Sequence, residues 1–290
     1  YEASEPYYSM YDPATITPFP YDLPANASLP LRAQRKWRIG EDAPEMALRE
    51  VQAVYYSMVS YIDDLVGRVI ATLKEQNLHE NTLILFASDH GDYAGQYGIN
   101  EKWDASLQDC LLQVAGIFAG PGIPKNHRVS GLTEHVDLPA TFFDYLGYER
   151  PEDWVWHGES LLPFIRNGGG KDAVFADGGH EAAMRERFHA KTWTEKDGIW
   201  TKTVGGKQLT YKECPDAMAR CKMIRTDEWK LVIRETGGNE LFNMEEDPRE
   251  MNNLYDEPGH EKIISDLQLQ LIEWCLRTDT DRPFLKEFGA

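Results

Sequence analysis

The string in this chain with the most chemistry in it is Ser88-Asp89-His90-Gly91-Asp92, which directly follows the apolar run Thr82-Leu83-Ile84-Leu85-Phe86-Ala87. Asp89 offers carboxylate oxygens and His90 an imidazole nitrogen on adjacent residues, and at a strand end, where the chain turns, both can reach one ion. A carboxylate-rich site suits a hard divalent cation, and a single imidazole does not exclude calcium or manganese. Taken alone, an Asp-His pair on a loop is more often solvated or a cap, so its surroundings decide. Lys102 stands twelve residues after His90, a point charge able to neutralise an oxyanion, and Trp103 follows it. A second histidine of interest, His180, lies in the glycine-rich loop Asp177-Gly178-Gly179-His180-Glu181, where the backbone can approach a neighbour closely. His135 and Asp137 form another pair, but no further partner is placed by the sequence, so Asp137 reads as a cap on the helix that follows.

These residues need elements to carry them. Residues 1 to about 43 are rich in proline and without period, and read as an irregular segment on the surface. From Ala43 to Gln76 apolar residues recur every three or four positions, which predicts one long helix with an apolar stripe. Thr82 to Ala87 and Val114 to Ala119 are short and continuously apolar, the pattern of strands buried on both faces of a parallel sheet, and ligands bind at the C-terminal ends of such strands. Val136 to Leu146 has helical spacing and stops at Gly147. From Asp172 onward the runs Ala173 to Ala176, Lys222 to Ile224, Trp229 to Ile233 and Glu240 to Phe242, separated by turn signals, predict a small antiparallel sheet. A helix over roughly Glu261 to Arg277 would cover it.

Composition narrows the function classes. With 290 residues, 42% of them hydrophobic, the chain can bury a substantial core in one large domain or two smaller ones. Its 48 acidic against 30 basic residues argue against a nucleic-acid partner, because phosphates reward a basic face. No apolar stretch of about 18 residues predicts a membrane span. Cys110, Cys214, Cys221 and Cys275 are too scattered for a disulfide framework; Cys214 and Cys221 can pair across a short loop or stay as thiols. Trp103, Trp154, Trp156, Trp193 and Trp200 read mainly as packing residues, with Trp103 alone placed beside the chemistry.

The order of long helix, apolar strand, Ser88-Asp89-His90-Gly91-Asp92, Tyr97-Gly98 and Lys102 resembles the sulfatase family of the alkaline phosphatase superfamily, including its iduronate-sulfatase and phosphonate monoester hydrolase branches. The resemblance extends through Phe118-Ala119-Gly120-Pro121-Gly122-Ile123, Glu134 to Thr141 and Gly158-Glu159-Ser160-Leu161-Leu162-Pro163. It continues in Met223-Ile224-Arg225-Thr226, Trp229-Lys230-Leu231-Val232 and Glu240 to Pro248. It implies that Asp89 and His90 are two of four ligands to a divalent cation, Ca2+ first, with Mn2+ and Mg2+ also admitted. Lys102 would contact sulfate and nucleophile, while Lys102, His180 and Trp103 would face substrate at the rim. The family's formylglycine, made from Cys or Ser in a C-x-P-x-R or S-x-P-x-R context, and its early aspartate pair are expected in a missing N-terminal half. The stretch Gln108-Asp109-Cys110 and Gln113-Val114 departs from the family's Glu-Ser and Val-Pro.

The expected fold is α/β: part of an alkaline-phosphatase-like α/β sandwich with a mostly parallel sheet over 1–165, then a small C-terminal α+β subdomain over 166–290. The expected activity is sulfuric ester hydrolysis on a sulfated small molecule or glycan, in partnership with the N-terminal half and in a periplasmic or secreted setting. Phosphonate or phosphate ester hydrolysis is the alternative within enzymes, and a non-catalytic glycan-binding fragment the alternative outside them.

Overall fold

The computed structural model describes residues 1–39, 43–151, 155–190 and 210–278. The predicted long helix is α2, Glu45–Glu75, opened by Pro44 and Glu45 and closed where Asn77 takes a left-handed φ of 57°. Its buried residues, Leu48, Gln52, Ala53 and Ser57, all belong to its first half. Farther along, Val59, Ile62 and Val69 stand exposed, so only part of the apolar stripe meets the core within the described residues.

The N-terminal segment differs from the expected surface strap. Its first part does lie on α2 through tyrosines, with Tyr7 donating to Asp64 at 2.8 Å and Tyr11 sharing a 2.7 Å hydrogen bond with Ser60. From Ala27 on it dives inward, and α1, Leu29–Gln34, begins with a proline in its first turn, where a missing N–H does no harm. Ala27 and Leu31 join Tyr93, Tyr97, Ile99 and Leu111 in one apolar cluster. Proline content hid this because it signals turns without saying whether their apolar neighbours are covered.

Strands β1, Ile84–Ala87, and β2, Gly116–Ala119, pair antiparallel, with Ile84 opposite Ala119 and Ala87 opposite Gly116. This corrects the expected parallel, doubly buried arrangement. A short apolar run carries no direction; the return path of residues 88–115, which includes the short α3 at Asp109–Leu112, sets it. Ile117 is 59% exposed. Downstream, α4, Asp137–Leu146, ends on Gly147 at φ 69°, with Tyr148 N donating back to the Phe143 carbonyl at 2.9 Å. α5 follows at Leu162–Asn167.

The C-terminal part matches its expected antiparallel form. β3 (Val174–Gly178), β4 (Cys221–Arg225), β5 (Trp229–Arg234) and β6 (Glu240–Asn243) lie in that order, each antiparallel to the next. α6, Ala182–Ala190, follows β3, and α7, Glu261–Thr278, ends the described chain. Alternation gives the sheet two working faces. Ile224, Leu231 and Leu241 meet Leu267 and Leu271 of α7, where Trp274 stacks on Phe175 at 5.1 Å. Cys221, Met223 and Val232 face the other way, onto Trp103, Ala105 and Leu107. The segment after Lys102 is therefore clamped by the C-terminal sheet.

Candidate functional site

Asp89 and His90 sit immediately beyond the C-terminal end of β1. Ser88 N donates to the Ala115 carbonyl at 3.3 Å, and the His135 Nε2–H donates to the Ser88 carbonyl at 2.9 Å. His135 thus braces the turn. Asp137 is fully buried, accepting from Glu134 N and Glu159 N and pairing with Lys171 at 2.6 Å, so its role is structural.

The Asp89 carboxylate and the His90 ring approach one another, with Oδ2 and Nε2 3.7 Å apart. A carbonyl can only accept, so the 2.7 Å contact of His90 Nδ1 with the Gly91 carbonyl requires the proton on Nδ1. In the neutral ring the Nε2 lone pair then faces the same space as the carboxylate, the tautomer a metal-binding imidazole needs. The ledge is open: the side chains of Asp89 and His90 are 86% and 40% exposed. Among the described residues no group of three His, Cys, Asp or Glu comes together as a metal site. One carboxylate and one imidazole are two donors of the kinds a divalent cation accepts.

Gly91 is required by packing. Its N–H donates to the Leu111 carbonyl at 2.7 Å, and an added Cβ would lie 2.0 Å from the Cys110 carbonyl oxygen. Asp92, a residue the sequence pattern named only as part of the motif, ties a knot: its Oδ1 accepts from Ala94 N at 2.8 Å, from Glu101 N at 3.0 Å and from the Tyr1 hydroxyl. Tyr1 OH in turn accepts from Glu101 N at 2.8 Å. Burial and the Asp92 charge both push the Tyr1 phenol up, which keeps it a donor. The knot brings the residue before Lys102 back beside the residue three after Asp89, and Lys102 itself is exposed.

Trp103 points elsewhere. It is 4% exposed, stacks on Tyr211 at 5.2 Å and donates Nε1–H to the Ala217 carbonyl at 3.3 Å. A ring enclosed in this way is a packing residue, which corrects its expected place on a substrate rim; its large apolar area outweighs its neighbour's chemistry. Trp156 packs edge-on to Phe143. Trp154, Trp193 and Trp200 lie outside the described residues. Cys110, Cys214, Cys221 and Cys275 are free thiols, and burial raises Cys221 to about 11.

His180 meets a partner that the sequence did not single out. Its Nε2 hydrogen-bonds Asp104, two residues after Lys102, while its backbone N–H donates to the Met218 carbonyl at 2.7 Å. The glycines before it serve backbone contacts rather than a ligand: Gly179 N donates to the Asp104 carbonyl at 2.7 Å, and a Cβ on Gly179, at φ 79°, would meet the Ala219 carbonyl oxygen at 2.2 Å. Asp104 was missed because its signal, a carboxylate close after Lys102, acquires meaning only from His180.

The nucleophile context needs a correction. One S-x-P-x-R string does occur, Ser28-Leu29-Pro30-Leu31-Arg32, against the expectation that this context lies outside the chain. Ser28 is buried with its hydroxyl unpartnered, its neighbour Leu29 N bonds the Gly237 carbonyl, and Arg32 bonds the Ala27 carbonyl at 2.5 Å. None of these contacts involves the Asp89–His90 turn, so the string here is a helix start.

Comparison with known proteins agrees with this layout. A family model described as Sulfatase matches residues 5–148, and one described as N-sulphoglucosamine sulphohydrolase, C-terminal, matches residues 188–276. The multifunctional alkaline phosphatase superfamily protein PehA of Trinickia caryophylli is 26% identical over 82% of this chain and 42% of its own length. Arylsulfatase K of Rattus norvegicus is 27% identical over 79% of this chain and 36% of its own. The phosphonate monoester hydrolase SpPMH from Silicibacter pomeroyi superposes with a TM-score of 0.74 at 22% identity, covering 97% of this chain and 54% of that one, a likeness of fold. The chain therefore spans about half or less of the length of these proteins. Its N-terminal and C-terminal parts match two parts of one architecture in order, and the chain belongs to the sulfatase family of the alkaline phosphatase superfamily.

Proposed function

We propose that this chain supplies the C-terminal portion of a metal-dependent sulfuric ester hydrolase, with Asp89 and His90 as half of its cation site. The observation that carries the reading is the His90 ring, held through Nδ1 with its Nε2 3.7 Å from the Asp89 carboxylate just beyond the end of β1. Membership of the sulfatase family supports it. A bound divalent cation, Ca2+ by the family resemblance, would polarise the ester and neutralise charge on its oxygens.

The chain's own residues do the rest of what can be derived. Asp89 and His90 orient at the ledge, and the Asp92 knot keeps the Lys102 segment beside them, so the ammonium can neutralise negative charge that grows on the sulfuryl oxygens. His180, oriented by Asp104, stands where the C-terminal subdomain reaches that segment and can hydrogen-bond a hydroxyl or anionic group of a sulfated small molecule or glycan. The nucleophile, a formylglycine by the resemblance, comes from the N-terminal half of the same protein. Exposed Val59, Ile62, Val69, Ile117 and Leu146 are apolar surface for that half to cover.

The likeness to PehA favours a second reading, phosphonate or phosphate ester hydrolysis at the same ledge. The full-length protein assayed with an aryl sulfate and with a phosphonate monoester, as wild type and as Asp89→Asn, separates these. Sulfate turnover that collapses in Asp89→Asn is expected; preference for the phosphonate selects the second reading, and wild-type turnover in Asp89→Asn refutes both.

A further inference from the structure

Beneath the ledge lies a group of charges that the proposed reaction does not use. Lys230, on the face of β5 that carries Val232, has a fully buried side chain, and its Nζ lies 2.7 Å from Asp109 Oδ1 and 2.7 Å from Glu250 Oε1. The Asp109 N–H donates to Glu250 Oε2 at 2.7 Å, and Arg225 Nε reaches Asp109 Oδ2 at 3.1 Å. Asp109 is thus held through both carboxylate oxygens and its amide. Buried ion pairs are a poor source of stability, because the loss of hydration offsets the attraction; well-packed apolar residues serve as well or better. What such a cluster does provide is register, since Asp109 is gripped at three atoms by partners that are themselves fixed in the sheet and the loop after it.

The register set here is passed upward in three contacts. Asp109 opens α3, a four-residue helix too short to hold itself in place. One residue on, the Cys110 carbonyl occupies the space a Gly91 side chain would need; two residues on, the Leu111 carbonyl accepts the Gly91 N–H at 2.7 Å. The Gly91 carbonyl then accepts from His90 Nδ1 at 2.7 Å and decides which ring nitrogen carries the proton.

We propose that the buried Asp109–Lys230–Glu250 cluster is a positioning group for the Asp89–His90 pair: it holds residues 109–111 at the height where their carbonyls fix Gly91, and Gly91 sets the His90 ring. The consequence for cation binding rests on reading Asp89 and His90 as a half-site; the effect on the ring does not. The full-length protein, labelled with 15N-histidine and stripped of metal, reports the tautomer of each histidine by two-bond proton–nitrogen correlation. In wild type His90 is expected in the Nδ1–H form. In Lys230→Met/Glu250→Gln, which removes one charge of each sign and leaves Asp109 with Arg225, His90 is expected to become a tautomer mixture while His79 and His260 stay unchanged. Affinity for Mn2+ alone, by calorimetry, is expected to fall about 10- to 100-fold. Should that variant fail to fold, Asp109→Asn, which leaves Lys230 paired with Glu250, is expected to shift His90 in the same way. A folded variant with the wild-type His90 spectrum, or one in which all histidines shift together, overturns the proposal. If Mn2+ binds wild type and Asp89→Asn equally, the cation reading falls and the tautomer result still decides the positioning.

Discussion

The β1–β2 region and the β3–β6 region are built from similar short apolar strands, yet they are finished to different degrees. The four-stranded sheet is closed on both faces, by α7 on one and by Trp103, Ala105 and Leu107 on the other. The two-stranded sheet leaves Ile117 exposed and carries the Asp89–His90 ledge at its end, open to solvent. The proposed half-site sits on the less self-sufficient part, which is tied to the more complete one by Lys230 to Asp109 and by His180 to Asp104. A half-site of the kind proposed must stay open to substrate, so its order has to come from below.

The sharpest way to break this comparison is to remove the link. Lys230→Met alone leaves the Asp109 and Glu250 carboxylates buried without their shared cation, and is expected to destabilise the protein by about 3–5 kcal/mol, read as a lowered denaturation midpoint. A change under about 0.5 kcal/mol would mean that the regions are energetically independent. Lys102→Ala, on the open side, should do the opposite: turnover of an aryl sulfate by the full-length protein is expected to fall about 10²–10³-fold, as on losing one transition-state donor, while the melting temperature stays put. Equal turnover would remove Lys102 from the site.

Acid titration tests the cluster in a third way. Burial, opposed by Lys230, pushes Glu250 up to about 7, whereas Asp109, though also opposed by burial, is held below its ordinary value by Lys230 and Arg225. A raised carboxyl binds its proton more tightly in the folded state, so the Glu250 contribution is present in full below about pH 4.5 and is lost as pH rises toward 7. It amounts to something on the order of 3 kcal/mol. The Asp109 contribution runs the other way and is lost only as pH falls below the usual carboxylate range. Glu250→Gln should therefore flatten the decline of stability between pH 4.5 and 7, as measured by denaturant midpoints; an unchanged slope would place that titration elsewhere.

Smaller effects sharpen the boundary. Gly91→Ala drives a methyl into the Cys110 carbonyl and should cost about 1–3 kcal/mol by overpacking, together with a shifted His90 resonance. Ile117→Ser should stay within about 0.5 kcal/mol when this chain is studied alone, because the side chain is exposed. A clearly larger loss for the same substitution in the full-length protein would identify β2 as covered there, and equal values would leave that face free.

Legibility along the chain followed the kind of information each part needs. The strands of the C-terminal sheet and helices α2, α4 and α7 were readable because alternation, three- and four-residue spacing and stops such as Gly147 are local signals. Trp103 was misread for the converse reason: its neighbour Lys102 is exposed while it turns inward onto Tyr211, and sequence adjacency says nothing about which way successive side chains face.

By itself, then, the sequence determined the family and the element types, and set Asp89 next to His90 after a strand; that their side chains approach one another was left to the fold. Tertiary structure alone decided the antiparallel direction of β1 and β2, the tautomer that the Gly91 carbonyl imposes on His90, and the partners of Asp109, whose counter-ion Lys230 lies 121 residues away. Those are choices among partners distant in the chain, and the balance of desolvation and attraction that selects them exists only once the elements have packed.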